Sequence, residues 1–188
     1  MKRRSFLKAS AALLPAAGLQ NFALAQASSV SPTITSPSDQ VHIVGAGQDG
    51  FGESHSLGFS SILFKVLPRE TGGGLFVIEH IHLANGGPAL HYHLHQEEFF
   101  YVMEGEVLFQ VGDRRVRLRS GESVLGPRNI PHTFTSVGET PGRLLIAFTP
   151  AGLMEEYFRA AVQPGASFRD PEFNRRFGVV VVGPPLTV

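Results

Sequence analysis

Cysteine is absent from the whole chain. That absence removes disulfides, thiolate metal ligands and cysteine nucleophiles together. Nor is there a surplus of either charge, since 16 Lys and Arg stand against 16 Asp and Glu. A balanced chain carries no electrostatic footprint for nucleic acid or for an anionic membrane surface. Long apolar runs are missing too. The candidate stretch, Ala9 to Leu24, is alanine-rich and broken by Pro15 and Gly18. It falls short of the roughly 20 predominantly apolar residues that a span requires. No stable membrane anchor is expected.

What the N-terminus has instead is Lys2-Arg3-Arg4-Ser5-Phe6-Leu7-Lys8, followed by that modest stretch and closed by Ala23-Leu24-Ala25, a small-x-small cleavage pattern. The paired arginines before Phe-Leu-Lys resemble a twin-arginine export signal. The expectation is a signal peptide over residues 1–25 and a bacterial periplasmic or secreted protein, carried across already folded. Cleavage takes four of the basic residues and no acidic one, leaving a formal charge of −4. Residues 26–40 are rich in Ser, Pro and Thr and read as a flexible leader. Residues 41–188 remain, one domain by length and large enough for a real core.

Within that domain, short apolar runs alternate with Gly, Pro and Asn turns. The runs are Ile62–Leu67, Leu75–Leu83, Glu98–Met103, Val107–Val111, Val116–Leu118, Ser123–Leu125, Thr133–Val137 and Leu144–Phe148. Period-two alternation is clearest where Val116 and Leu118 sit among Arg115, Arg117 and Arg119. Glu104-Gly105 and Gly112-Asp113 fall between runs as hairpin turns. Many short strands at near-regular spacing predict an all-β antiparallel sandwich or barrel. Leu153 to Val162 has helical periodicity and stops at Pro164-Gly165. That helix is expected to pack outside the barrel.

Two stretches carry chemistry. The first, His91-Tyr92-His93-Leu94-His95-Gln96-Glu97-Glu98, reads H-x-H-x4-E and is followed by six residues to Gly105; the second, Gly121 to His132, reads G-x5-P-x4-H. On an extended strand His91 and His93 project to one face. His132 and Glu98 would join them from neighbouring strands. Three imidazoles and a carboxylate can bind one divalent transition metal (iron, manganese, nickel, cobalt, copper or zinc) and leave positions open for a substrate.

These motifs resemble those of the cupin family, in its single-domain form with both motifs present. His91, His93, Glu98 and Gly105 fall on the first family motif, and Gly121, Pro127 and His132 on the second. The likeness covers about residues 60–150 and implies a jelly-roll β-barrel with His91, His93, Glu98 and His132 as metal ligands. Three scaffold positions depart from the pattern: Gly86 stands one residue too close to His91, Asn129 replaces a glycine and Ser136 replaces an asparagine. Glu97 competes as the carboxylate, and the six-residue spacing to Gly105 favours Glu98. Single-domain cupins usually dimerise, so a homodimer is expected, with outward Phe99 and Tyr101 supplying apolar contact.

Other features are weighed against these. His80 and His82 form a second H-x-H with same-face geometry and no partnered carboxylate, so they read as strand residues facing pocket or solvent. His95 lies at a turn, and His42 and His55 carry no motif. Gly45-Ala46-Gly47-Gln48-Asp49-Gly50 spells G-x-G-x-x-G, but Gly52, Gly58 and Pro68 deny it the helix that a dinucleotide site requires. It reads as a mobile glycine-rich loop over a barrel mouth.

Strand parity from Glu98 places Phe100 and Val102 inward, and parity from His132 places Phe134 inward. A metal lined by these residues suits a small aromatic or enolic substrate better than a sugar. The metal would act as Lewis acid and template for attack by dioxygen, and Glu98 would serve as ligand and as base. Cupins with this four-residue set include flavonol-cleaving dioxygenases (quercetinases), whose single-domain forms have tails resembling Val182-Gly183-Pro184-Pro185-Leu186. The alternatives are a non-catalytic metal cupin that binds a small molecule, and a non-oxidative enzyme such as a decarboxylase or isomerase.

Overall fold

The computed structural model describes residues 41–188, apart from positions 54, 164, 165, 167 and 169. The expected signal peptide and leader, residues 1–40, lie outside the described residues. In chain order the first strands are β1 (His55–Ser56), β2 (Ser61–Val66), β3 (Phe76–Leu83), β4 (Ala89–His93), β5 (Glu97–Glu104) and β6 (Glu106–Val111). They are followed by β7 (Arg114–Arg119), β8 (Ser123–Gly126), β9 (His132–Ser136), β10 (Gly142–Thr149) and, after two helices, β11 (Val179–Pro185).

Two antiparallel sheets result. One runs β1-β2-β3-β10-β5-β8 and the other β11-β4-β9-β6-β7. Sequence neighbours β3 and β4, or β9 and β10, lie in different sheets, which is the jelly-roll arrangement expected from the resemblance. Period-two alternation explains how the sheets face each other. On β10, Leu144, Ile146 and Phe148 are fully buried, as are Phe100 and Val102 on β5 and Val107 and Phe109 on β6. Burying each such side chain contributes about 1.5–3 kcal/mol. The alternate residues Phe99 and Tyr101 point out, 37% and 38% exposed.

Three expectations are corrected. The helix α1 (Met154–Ala161) does not sit outside the barrel, because its apolar face, Met154, Tyr157 and Phe158, joins the main core. A second helix, α2 (Pro171–Arg175), is capped by Asp170, whose side chain accepts from the Glu172 amide. It places buried Asn174 under Tyr157. The glycine-rich loop does not cover the barrel mouth. The Asp49 carboxylate accepts from the amides of Phe51, Glu53 and Phe64, and Lys65 Nζ donates to the Gln48 carbonyl at 2.7 Å. The loop is thus fastened to β2, and among the described residues no α-helix follows it before that strand.

The third correction concerns His80 and His82, which do not share a face. His82 adopts φ 53°, and the β3–β10 register shifts between Gly142 and Leu144, so that one residue of β10 opposes two of β3. This bulge turns His82 out to solvent and leaves His80 buried at 3% exposure.

Candidate metal centre

Strand pairing assembles the four predicted ligands. β4 lies beside β9 and pairs His91 with His132, while Glu98 reaches the same spot from β5 in the facing sheet. One donor atom from each of His91, His93, Glu98 and His132 lies within 4.8 Å of every other. This is the one such group among the described residues. Glu97, the competing carboxylate, faces away and forms a two-pronged ion pair with Arg128 at 2.5 and 2.7 Å. That ion pair holds the Glu97 carboxyl below its ordinary pKa. His95 is exposed, and His42 binds Glu70 at 2.5 Å, so neither joins the cluster.

The ring orientations follow from backbone contacts. His91 Nδ1 lies 2.7 Å from the Ala89 carbonyl, and His132 Nδ1 lies 2.9 Å from that of Ile130. A carbonyl has no proton to give, so both Nδ1 atoms must donate. Each Nε2 is therefore the nitrogen left for the centre. His93 has no such tether, and its buried Nδ1 lacks a partner; packing against Phe148 and His132 holds its ring.

This geometry calls for a cation. Glu98 Oε2 lies 2.9 Å from His93 Nε2 and 2.8 Å from His132 Nε2. A neutral His132, with its proton on Nδ1, would turn a bare lone pair toward a bare carboxylate oxygen. Only a proton or a metal ion between them makes that contact favourable. Ligand atoms about 2.1 Å from one ion stand roughly 3.0–3.4 Å apart, near the 2.8 and 2.9 Å of these two contacts, and all four donors lie within 4.8 Å of one another. Burial, with His132 and His93 close by, holds the His91 pKa down at about 3, against the pull of Glu98. Burial alone would raise the Glu98 carboxyl, but the His132 and His93 rings at 2.8 and 2.9 Å outweigh it and hold its pKa below the ordinary value. Neutral imidazole and ionised carboxylate are the ligand forms a divalent ion takes. The residues present fit such an ion.

Sequence reasoning missed two glycines that make room for the cluster. A Cβ on Gly126 would stand 2.9 Å from His132 Nδ1, and one on Gly87 would stand 1.8 Å from the Phe134 carbonyl oxygen. Neither substitution fits without moving β9. Asn129 takes the place of the motif glycine by adopting φ 63°, a left-handed conformation that asparagine tolerates better than most residues. Its amide donates to the His93 carbonyl at 2.9 Å, so the departure preserves the turn.

The centre opens onto a cavity of about 340 Å³. His91, His93 and Glu98 form one wall, with Phe134, Phe148 and Phe158 among the apolar lining. Of the three expected pocket residues, Phe134 lines this space. Phe100 and Val102 do point inward, but they belong to the core behind it: Phe100 packs against His132, Phe109 and Phe134. Parity along a strand predicts inward and outward faces, not depth. The lining instead includes Met154 and Tyr157 of α1 and His80 of β3.

Comparisons with known proteins agree with this architecture. Residues 79–148 match the family model described as a cupin domain. The chain is 21% identical to an RmlC-like cupin from Shewanella frigidimarina, with a TM-score of 0.50 over 60% of this chain and 93% of that one. The fold is a cupin jelly roll, and the cupin-domain match spans residues 79–148 of it. Among curated proteins, the tetracenomycin polyketide synthase protein TcmJ of Streptomyces glaucescens is 27% identical over 98 residues, 52% of this chain and 66% of that one. Protein SchB of Streptomyces halstedii is 35% identical over 60 residues, 32% of this chain and 44% of that one. The chain thus spans less than two thirds of the length of these relatives.

Proposed function

We propose that the protein is a metal-dependent cupin oxidoreductase, a dioxygenase that acts on a small aromatic or enolic substrate of flavonol-like kind. The observation that carries this reading is the position of the donor set. His91, His93 and Glu98 stand in the wall of an apolar cavity, with His132 completing the donor set, where an organic ligand can share an ion with them. A bound divalent ion would supply Lewis acidity and a template for substrate and dioxygen.

The chain's own residues do the rest. His91 and His132, fixed through their Nδ1 atoms, keep their Nε2 donors aimed at the centre. Glu98 can receive the proton of a substrate hydroxyl, since it is held ionised and reaches the cavity. Phe134, Phe148 and Phe158 exclude water from the reacting carbon. Both atoms of dioxygen end in the products, and the organic substrate, which is oxidised, supplies all the electrons.

A second reading is a non-oxidative enzyme acting on an enolisable carbonyl compound, and the likeness to TcmJ favours it. A polyketide carries ketone groups whose enol forms would bind the same centre. We further propose export by the N-terminal signal to the periplasm or exterior, and a homodimer that buries Phe99 and Tyr101.

An oxygen electrode separates the readings. Metal-replete protein should consume dioxygen with a flavonol, a catechol or a 1,3-diketone. Substrate loss without dioxygen uptake would establish the second reading instead. Binding with no turnover of any panel member would leave a metal cupin that only holds its ligand.

A further inference from the structure

The apolar cavity has a second polar pole besides the metal centre. His80 lines it from β3, is 3% exposed, and belongs to no part of the donor cluster. Its ring is fixed on three sides. Phe59 stacks on one face with centroids 6.2 Å apart, Phe134 meets it edge-on at 5.8 Å, and Ser60 Oγ stands 2.8 Å from Nδ1.

The Ser60 contact decides which nitrogen carries the proton. Ser60 is buried, and His80 Nδ1 is the hydrogen-bond partner recorded for its hydroxyl. A buried donor without an acceptor is costly, so the hydroxyl proton goes to Nδ1. Burial lowers the His80 pKa to about 4, against the pull of Glu98, and the ring is neutral. A neutral imidazole that accepts at Nδ1 carries its proton on Nε2. That N–H is what His80 has left to offer an occupant.

The other non-ligand polar group in the lining is complementary. Asn174 Nδ2 donates to the carbonyls of Phe168 and Asp170, so its Oδ1 must accept, and Tyr157 donates to it at 2.8 Å. The phenolic proton is therefore spent, and burial, with the Glu98 charge, pushes the Tyr157 pKa well above its ordinary value. Tyr157 presents only a lone pair. Among the described side chains of the lining away from the metal centre, His80 is the donor.

We propose that His80, set by Ser60, binds a second oxygen of the substrate, so that the preferred ligand is an enol or phenol bearing a separate carbonyl-type acceptor across an apolar body. This deepens the reading of the site as a centre for oxygen-donor ligands and rests on it. His80 selects among such ligands by the acceptor they carry, whereas the metal centre takes any of them by the hydroxyl.

The test uses the full chain loaded with zinc and two probes: 4-nitrocatechol, whose nitro group is an acceptor remote from the hydroxyls, and catechol, which lacks it. Visible titration reads 4-nitrocatechol directly, and competition reads catechol. His80→Phe keeps the ring packing and removes the N–H, His80→Gln keeps a donor, and Ser60→Ala frees the tautomer. His80→Phe should weaken 4-nitrocatechol about tenfold or more, His80→Gln should recover part of that loss, and catechol affinity and zinc content should not change. Ser60→Ala should weaken 4-nitrocatechol by a smaller factor, and it carries the test alone if His80→Phe does not fold. Equal effects on both probes, or none, would overturn the proposal and leave the metal reading intact. Zinc loss in His80→Phe would also overturn it, by placing His80 in the metal cluster. Zinc-loaded parent protein that binds neither probe would overturn the reading of the centre, and this proposal with it.

Discussion

Replacing Glu98 by glutamine separates two tasks that one carboxylate performs. The change keeps shape and removes charge. An amide nitrogen in the place of Glu98 Oε2, 2.8–2.9 Å from the Nε2 atoms of His93 and His132, can donate one proton to each ring. The metal-free variant thus keeps its internal contacts without a buried charge, and should melt at or above the metal-free parent. Loaded protein should behave in the opposite sense, because a neutral amide is a poor ligand. A loss of about 100-fold in affinity removes about 2.7 kcal/mol of metal-induced stabilisation. For a domain of this size that is roughly 5–11 °C less rise in Tm when metal is added. At saturating metal, turnover should fall by about 100-fold or more, the range for loss of a general base. Calorimetry with chelator and with stepped metal, metal analysis and dioxygen uptake are to be run on one preparation. An equal metal-induced rise in parent and variant would refute the ligand role. Full turnover in the loaded variant would refute the proton-accepting role.

Alanine at His91, His93 or His132 should strip most of the metal, whereas His80→Ala and His82→Ala should retain it; elemental analysis of purified protein decides. His80 also sets an acid limit. Its pKa is about 4 in the fold and near 6.5 in the unfolded chain. Above pH 6.5 both states are neutral and the group contributes no pH dependence. Between 6.5 and 4 the unfolded chain takes the proton first, and the fold loses up to about 3 kcal/mol. Urea titrations of His80→Gln should show a flatter profile over that window. Lysine at both Arg3 and Arg4 should leave the precursor in the cytoplasm, as cell fractionation would show; normal export would mean another type of signal. Light scattering at micromolar concentration should give a dimer, and a monomer would remove the proposed role of Phe99 and Tyr101.

The metal cluster was legible because a two-residue spacing on a strand fixes direction, so His91 and His93 had to share a face. Register did the rest: once β4 pairs with β9, His132 arrives opposite His91. The same rule failed at His80 and His82, where a bulge reversed the parity, and bulges leave little trace in composition. Depth was also hidden. Phe100, Val102 and Phe134 all point inward, but which of them meets the cavity depends on α1, whose docking is set by contacts remote in sequence. Val179–Pro185 escaped notice as a strand because Gly183, Pro184 and Pro185 argue against a ladder, and its place at a sheet edge tolerates them.

That last strand would decide when the protein could choose a metal. β11 is the outer neighbour of β4 and pairs Val179 with His93 and Val181 with His91. A chain leaving the ribosome displays all three imidazoles well before these residues exist. Until they dock, the histidines form a loose peptide, and a loose peptide takes ions by raw affinity, copper and zinc ahead of manganese or iron. Only the completed sheet can impose size and geometry on the ion. Fidelity in metal choice would therefore depend on the order of synthesis and on which ions surround the nascent chain, as much as on the four side chains that could hold a metal.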